Sequence, residues 1–185
     1  MRAVNNLIPH VKPVLYRPFD WRHVFYHDSL IWGMAWPVMQ HMIDGKNLAL
    51  ITSRMTKGEV FQHVLVSNTI SEVILLSSKT SNNAFVFPLH LKSNTENLQF
   101  GSRANFSSKF LSSLAHELNL RKEITSGLPT GLTPEDIFNY IYAVFHSPNY
   151  RRRYVEFLKI DFPRLPLTRD YDLFRSLARL GGELT

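Results

Sequence analysis

Two short segments of this chain concentrate side chains able to hydrogen-bond bases or phosphates. Thr52-Ser53-Arg54-Met55-Thr56-Lys57-Gly58 leaves one apolar run, and Ser77-Ser78-Lys79-Thr80-Ser81-Asn82-Asn83 joins two others. A guanidinium can pair with both acceptors on the major-groove edge of guanine, and a carboxamide can match the acceptor and donor of adenine. Arg54 is therefore the candidate for a guanine, and Asn82 or Asn83 for an adenine. Lys57 and Lys79 are candidates for phosphate, with Thr56, Ser78 and Thr80 completing the polar set. Any one of these residues, taken alone, also fits an ordinary polar turn.

A third concentration of charge lies between Arg151 and Arg169, where six basic residues face two acidic ones. Arg151, Arg152 and Arg153 are consecutive, so on a helix they point in directions about 100° apart and cannot share one ligand. One or two can reach phosphate, with Arg152 the candidate. The others are expected to pair with Glu156 and Asp161 or to pack against a neighbouring domain. The whole chain of 185 residues carries a formal charge of +6 and a pI near 9.7. That balance favours an anionic partner, of which nucleic acid is the commonest.

Other chemistries lack their residues. No Gly-x-x-x-x-Gly-Lys-Ser/Thr loop is present to cradle nucleotide phosphates. Glu156 and Lys159 have the wrong spacing for a nuclease's metal-binding carboxylate and lysine, and read as a solvated helix edge. His23 and His27 lack a third ligand and read as structural, so no metal or other cofactor is expected. The chain has no cysteine, which excludes disulfides and thiolate metal sites and fits a cytoplasmic location. No apolar run approaches a membrane span, and no signal-peptide layout opens the sequence.

The elements that must carry these side chains differ between the two halves. From 13 to 91 the apolar residues come in short runs, including Val14 to Tyr16, His23 to Tyr26, Leu48 to Ile51, Val64 to Val66, Val73 to Leu76 and Ala84 to Phe87. These predict strands of a mixed or antiparallel sheet, with a short helix near Pro37 to Met42 and a turn at Asp44-Gly45. Lys92 to Asn105 reads as a polar connector. From 105 to 181 the pattern is helical. Asn105 is expected to cap a helix bearing Phe110, Leu111, Leu114 and Leu118 on one face. Thr133, Pro134 and Asp136 have the spacing of a helix start, with Phe138, Ile141, Val144 and Phe145 directed at the core. Ser147-Pro148 ends that helix and a second carries Tyr150, Tyr154, Phe157 and Leu158. Phe162-Pro163-Arg164-Leu165-Pro166 must be extended, and a last helix from Asp170 has Leu173, Phe174, Leu177 and Leu180 in register. Arg17 and Asp20 are expected to pair. The predicted class is α+β, strands first and helices after, within one domain spanning 1–185.

Three blocks carry a family resemblance: Tyr16-Arg17-Pro18-Phe19-Asp20-Trp21-Arg22, Lys79 to Leu89, and Thr133 to Pro166. In these the chain resembles the C-terminal region of type ISP restriction-modification enzymes. The resemblance implies a fragment of a longer chain and a DNA target-recognition domain, without catalysis of its own. Its implied partners are double-stranded DNA and the adenine methyltransferase domain of the same parent chain. Neither the glycine-rich turn nor the Asn/Asp-Pro-Pro-aromatic loop of such a methyltransferase occurs here. Within this resemblance the two polar loops are read together as the base-reading surface. The alternative is a structural module that braces the methyltransferase without reading bases. The block from Ser29 to Ile43, with Trp32, Trp36, Met39 and Met42, fits either a core helix or an apolar face covered by that domain.

Overall fold

β1 (Val11–Arg17) and β2 (Asp20–Phe25) form an antiparallel hairpin through Pro18-Phe19, with Phe19 at φ 64°. The computed structural model describes residues 7–56, 58–77, 82–92 and 102–185. A two-residue strand, β5 (Ile70–Ser71), runs parallel to β1 and completes the first sheet in the order β2-β1-β5. The second sheet is antiparallel, with β3 (Ala49–Thr52) between β4 (Val64–Ser67) and β6 (Phe85–Pro88). β7 (His90–Leu91) and β8 (Arg103–Ala104) make a small ladder. A short helix, α1 (Trp36–Met39), precedes β3. The second half is helical: α2 (Ser108–Glu117), α3 (Pro134–His146), α4 (Pro148–Arg153), α5 (Val155–Leu158) and α6 (Tyr171–Leu184). The fold is α+β, as the two periodicities require.

β3 ties the halves together because both of its faces are buried. Leu50 joins Phe61, Val64, Leu111, Leu114, Ile137, Phe138, Leu158 and Phe174 in the main core, between the second sheet and the helices. Ala49 packs the other way with Tyr26, Met39, Met42 and Ile70, and Ile51 with Leu15 and Leu75. This alternation is the period-2 consequence of a strand lying inside the molecule. α3 and α6 pack so closely that a Cβ on Gly181 would lie 1.9 Å from the Asn139 carbonyl oxygen. α3 opens with a full capping box: Asp136 N–H donates to Thr133 Oγ1 at 3.1 Å, and Thr133 N–H to Asp136 Oδ2 at 2.9 Å.

Several expectations are corrected. Val73 to Leu76 is a turn rather than a strand, because the Glu72 carboxylate accepts the Ile74 N–H at 2.8 Å and folds the chain back on itself. Arg17 pairs with Glu72, just past β5, at 2.7 Å, and Asp20 with Arg22 at 2.9 Å, so the ion pair of β1 runs to the β5 side while the backbone ladder alone joins Arg17 to Asp20. The cap of α2 is Ser107, whose Oγ accepts the Phe110 N–H; the Asn105 amide instead donates to the Pro88 carbonyl. Part of the expected connector becomes β8. On α6 the buried residues are Phe174, Ala178 and Gly181, while Leu173 and Leu180 are exposed and Leu177 lies at the core's margin. Ile141 is likewise only partly buried, whereas Ile137 is fully so.

Candidate nucleic-acid interface

The loop leaving β3 is anchored at both ends and exposed between them. Ser53 and Thr56 are buried, while Arg54 and Met55 project outward. Thr56 N–H donates to the Lys159 carbonyl at 3.3 Å, which docks the loop on the end of α5. The Asn82 Nδ2 donates to the Thr56 carbonyl at 3.1 Å and reaches Glu59 Oε2 at 3.4 Å; Glu59 also meets His63 Nε2 at 3.1 Å. Asn82 is 1% exposed. The expectation of Asn82 and Thr56 as surface groups is therefore corrected: both side chains lie inside, and Asn82 serves as the bracket that holds the loop's backbone. Among the described residues Thr52 Oγ1, Ser53 Oγ, Thr56 Oγ1 and Asn82 Oδ1 are buried without a hydrogen-bond partner.

Arg54 is 60% exposed, with its Nε 3.6 Å from Asp161 Oδ1. The same carboxylate lies 3.8 Å from Arg164, itself 78% exposed, whose guanidinium sits 4.7 Å from the centroid of the Phe157 ring. Two arginines from opposite halves of the chain thus share one acidic group. Exposed pairs at such distances contribute about 0–1 kcal/mol, so either guanidinium can exchange Asp161 for a phosphate or a base at small cost. The backbone beneath them is fixed. Tyr150 hydroxyl donates to the Arg164 carbonyl at 2.8 Å, and Tyr140 hydroxyl to the Pro166 carbonyl at 2.8 Å. Burial pushes the Tyr150 hydroxyl up to about 12, and Tyr140 also upward, which keeps both as donors.

The remaining sequence candidates fall in different places. Asn83 is exposed just before β6. Arg152 is exposed on α4, where it donates to Asn149 Oδ1. Arg151 turns inward: its Nε donates to the Phe145 carbonyl at 2.7 Å, and its guanidinium lies 5.9 Å from the centre of Phe61. Lys57, Ser78, Lys79 and Thr80 lie outside the described residues. Glu156 and Lys159 pair at 2.7 Å on the solvent edge of α5. Arg164 went unselected from sequence, although the proline-bounded strap that carries it was legible. Among the described residues, no group of three or more His, Asp or Glu could hold a metal ion, and no helix is long and apolar enough to cross a membrane.

The model of the type ISP C-terminal specificity domain matches residues 2–185. The chain belongs to this family. Among solved structures, a DrdV–DNA complex resembles this specificity domain with 26% identity and a TM-score of 0.74, over 95% of this chain and 15% of that one. The ATP-dependent type ISP restriction-modification enzyme LlaBIII bound to DNA is similar at 23% identity and TM-score 0.67, over 95% and 10%. A nuclease-deletion mutant of the type ISP enzyme LlaGI with a DNA substrate mimic is similar at 20% and 0.65, over 99% and 14%. The last two likenesses are of fold. The specificity domain spans 10 to 15% of the length of these proteins. No curated protein matches the chain.

Proposed function

We propose that this specificity domain is the non-catalytic target-recognition module of a longer restriction-modification chain and docks on duplex DNA through the edge where Arg54 and Arg164 meet. The observation that carries this reading is a loosely held cation on a rigid loop, in a member of a specificity-domain family. Arg54 contacts a base, for which guanine is the geometric match, while Arg164 and Arg152 contact phosphate. Asn83, exposed just before β6, is a further candidate for a base contact. In this arrangement the domain positions the site for an adenine methyltransferase in the same parent chain, and Asn82 and Thr56 act beneath the surface.

The bracing alternative is favoured by one observation: Leu30, Trp32 and Trp36 are all exposed. Solvated indoles at that density are commonly covered in an assembly. The two readings make different demands on salt. The test is a titration of the 185-residue chain with a fluorescent duplex over a salt series. Target recognition requires binding that weakens steeply as salt rises, because phosphate contacts release counterions, and that weakens further in Arg54→Ala and Arg164→Ala. Absent or salt-indifferent binding would favour bracing.

A further inference from the structure

One face of the β3–β6 ladder is left partly open beside the proposed DNA edge. Leu50 lies opposite Phe87, and Thr52 opposite Phe85, so the four side chains share a face of the sheet. Phe162 and Pro163 of the strap and Phe145 of α3 complete the walls of a cavity of about 510 Å³. That is within the usual size of small-molecule sites, about 300–1,000 Å³. The Phe162 ring stands nearly perpendicular to Phe85, at 4.9 Å and 81°, and to Phe87, at 5.9 Å and 84°. The lining is almost wholly apolar and aromatic. Its polar exception is Thr52, which is 3% exposed and whose Oγ1 has no hydrogen-bond partner among the described residues.

The charge around the cavity is as informative as its lining. Arg54 follows Thr52 by two residues and Arg164 follows Phe162 by two, and both guanidiniums converge on Asp161, the neighbour of Phe162. An aromatic slot with one buried hydroxyl and two loosely held cations beside it matches one ligand chemistry: a flat, apolar-faced ring with a hydrogen-bonding edge, attached to an anionic backbone. We infer that the Phe85–Phe87–Phe162 cavity receives a single unstacked nucleobase of DNA, with Thr52 Oγ1 on its polar edge, Arg164 at a flanking phosphate and Arg54 left to the neighbouring paired base. A hydroxyl both donates and accepts, so the site holds a base without selecting which one. Base–aromatic stacking is tolerant of sequence in the same way. The inference rests on the DNA-docking reading and adds to it a place for a base that has left the duplex.

The test compares three duplexes of one sequence binding to the 185-residue chain at low salt: fully paired, with one extra unpaired adenine, and with an abasic residue in place of that adenine. The abasic duplex reproduces the flexibility of the bulge without the ring. The unpaired adenine is expected to bind on the order of tenfold more tightly than the abasic bulge. Phe162→Leu and, separately, Phe85→Leu are expected to abolish that ratio, and Thr52→Val to reduce it, with thermal melting confirming that each variant is folded. Equal binding of the adenine and abasic bulges by the wild type, or a ratio that survives in both leucine variants, overturns the nucleobase site while leaving duplex docking intact. Failure of all three duplexes to bind overturns docking itself, and the nucleobase site with it.

Discussion

Asn82 and Thr56 are joined across 26 positions of chain by a buried hydrogen bond of 3.1 Å from the Asn82 Nδ2 to the Thr56 carbonyl. The bond fixes the inner end of the loop whose tip is Arg54. Asn82→Ala leaves the Thr56 carbonyl without that donor, a loss of about 1–3 kcal/mol for a buried group. The expected outcome is a lower urea midpoint and a uniform loss of duplex affinity, with no relaxation at a single base pair. A variant of wild-type stability that selectively tolerates one altered base pair would instead make Asn82 a reader.

Gly181 and Gly182 make a paired test of the α3–α6 contact. Gly181→Ala places a methyl 1.9 Å from a backbone oxygen, which can move only with its helix. Overpacking of this kind costs about 1–3 kcal/mol. Gly182→Ala meets only the Asn139 side chain, its Nδ2 at 3.0 Å and Cγ at 3.7 Å, whose end can rotate away. Alanine also gains about 1 kcal/mol of helix propensity over glycine. Thermal melting is expected to place Gly181→Ala well below wild type and Gly182→Ala near or above it; equal shifts would contradict the close packing.

The main core predicts a graded series along α3. Ile137→Ala is expected to cost about 2–5 kcal/mol and Phe138→Ala about 3–5 kcal/mol, since both side chains are buried. Ile141→Ala is expected to cost less, because part of that side chain already meets solvent. Denaturant midpoints in the reverse order would show that α3 is rotated from this orientation.

The helical half was largely legible because its signals are local. The Thr133-Pro134-Asp136 start and the Ser147-Pro148 stop satisfy backbone groups within a few residues, and the structure uses them that way. The strands from Val11 to Ser67 and from Phe85 to Pro88 follow from short apolar runs for the same reason. What could not be read depends on distant partners. Val73 to Leu76 has strand composition, but the Glu72 carboxylate, held by Arg17 from 55 positions away, captures its backbone. Asn82 lies in a polar stretch like that of a surface loop, but its partner, the Thr56 carbonyl, is 26 positions away. Asp161 was expected to pair with an arginine of the 151–153 run, yet Arg54 and Arg164 share it. The aromatic cavity needs both the β3–β6 register and the path of the strap, and neither is written in local sequence.

Two histidines give the fold a pH dependence with a defined sign. Burial, reinforced by Lys92, holds His41 below its ordinary value of 6.5, and its Nδ1 accepts the Lys92 N–H at 3.0 Å, which requires an unprotonated nitrogen. Burial, aided by Arg151 and opposed by the bond to the Tyr142 carbonyl, holds His146 down as well. As pH falls the unfolded chain therefore takes up these protons first. Their contribution is fully present above about 6.5 and declines as pH drops from there toward the folded values. Melting temperature is expected to fall between pH 7.5 and pH 5.5, and the slope to flatten in the His41→Gln/His146→Gln double variant. An unchanged slope in that variant would assign the effect to other groups.

The central claim, that the Arg54 edge reads DNA sequence, is tested most directly by selecting bound duplexes from a randomised pool with the 185-residue chain and with its Arg54→Ala variant. A lost bidentate base contact costs about 1–3 kcal/mol at one position, whereas a lost phosphate contact weakens all sequences alike. The wild type is expected to enrich a motif containing a fixed guanine, and Arg54→Ala the same motif with that position degenerate. Enrichment of no motif by the wild type, or of an unchanged motif by Arg54→Ala, would contradict a sequence-reading role for this edge.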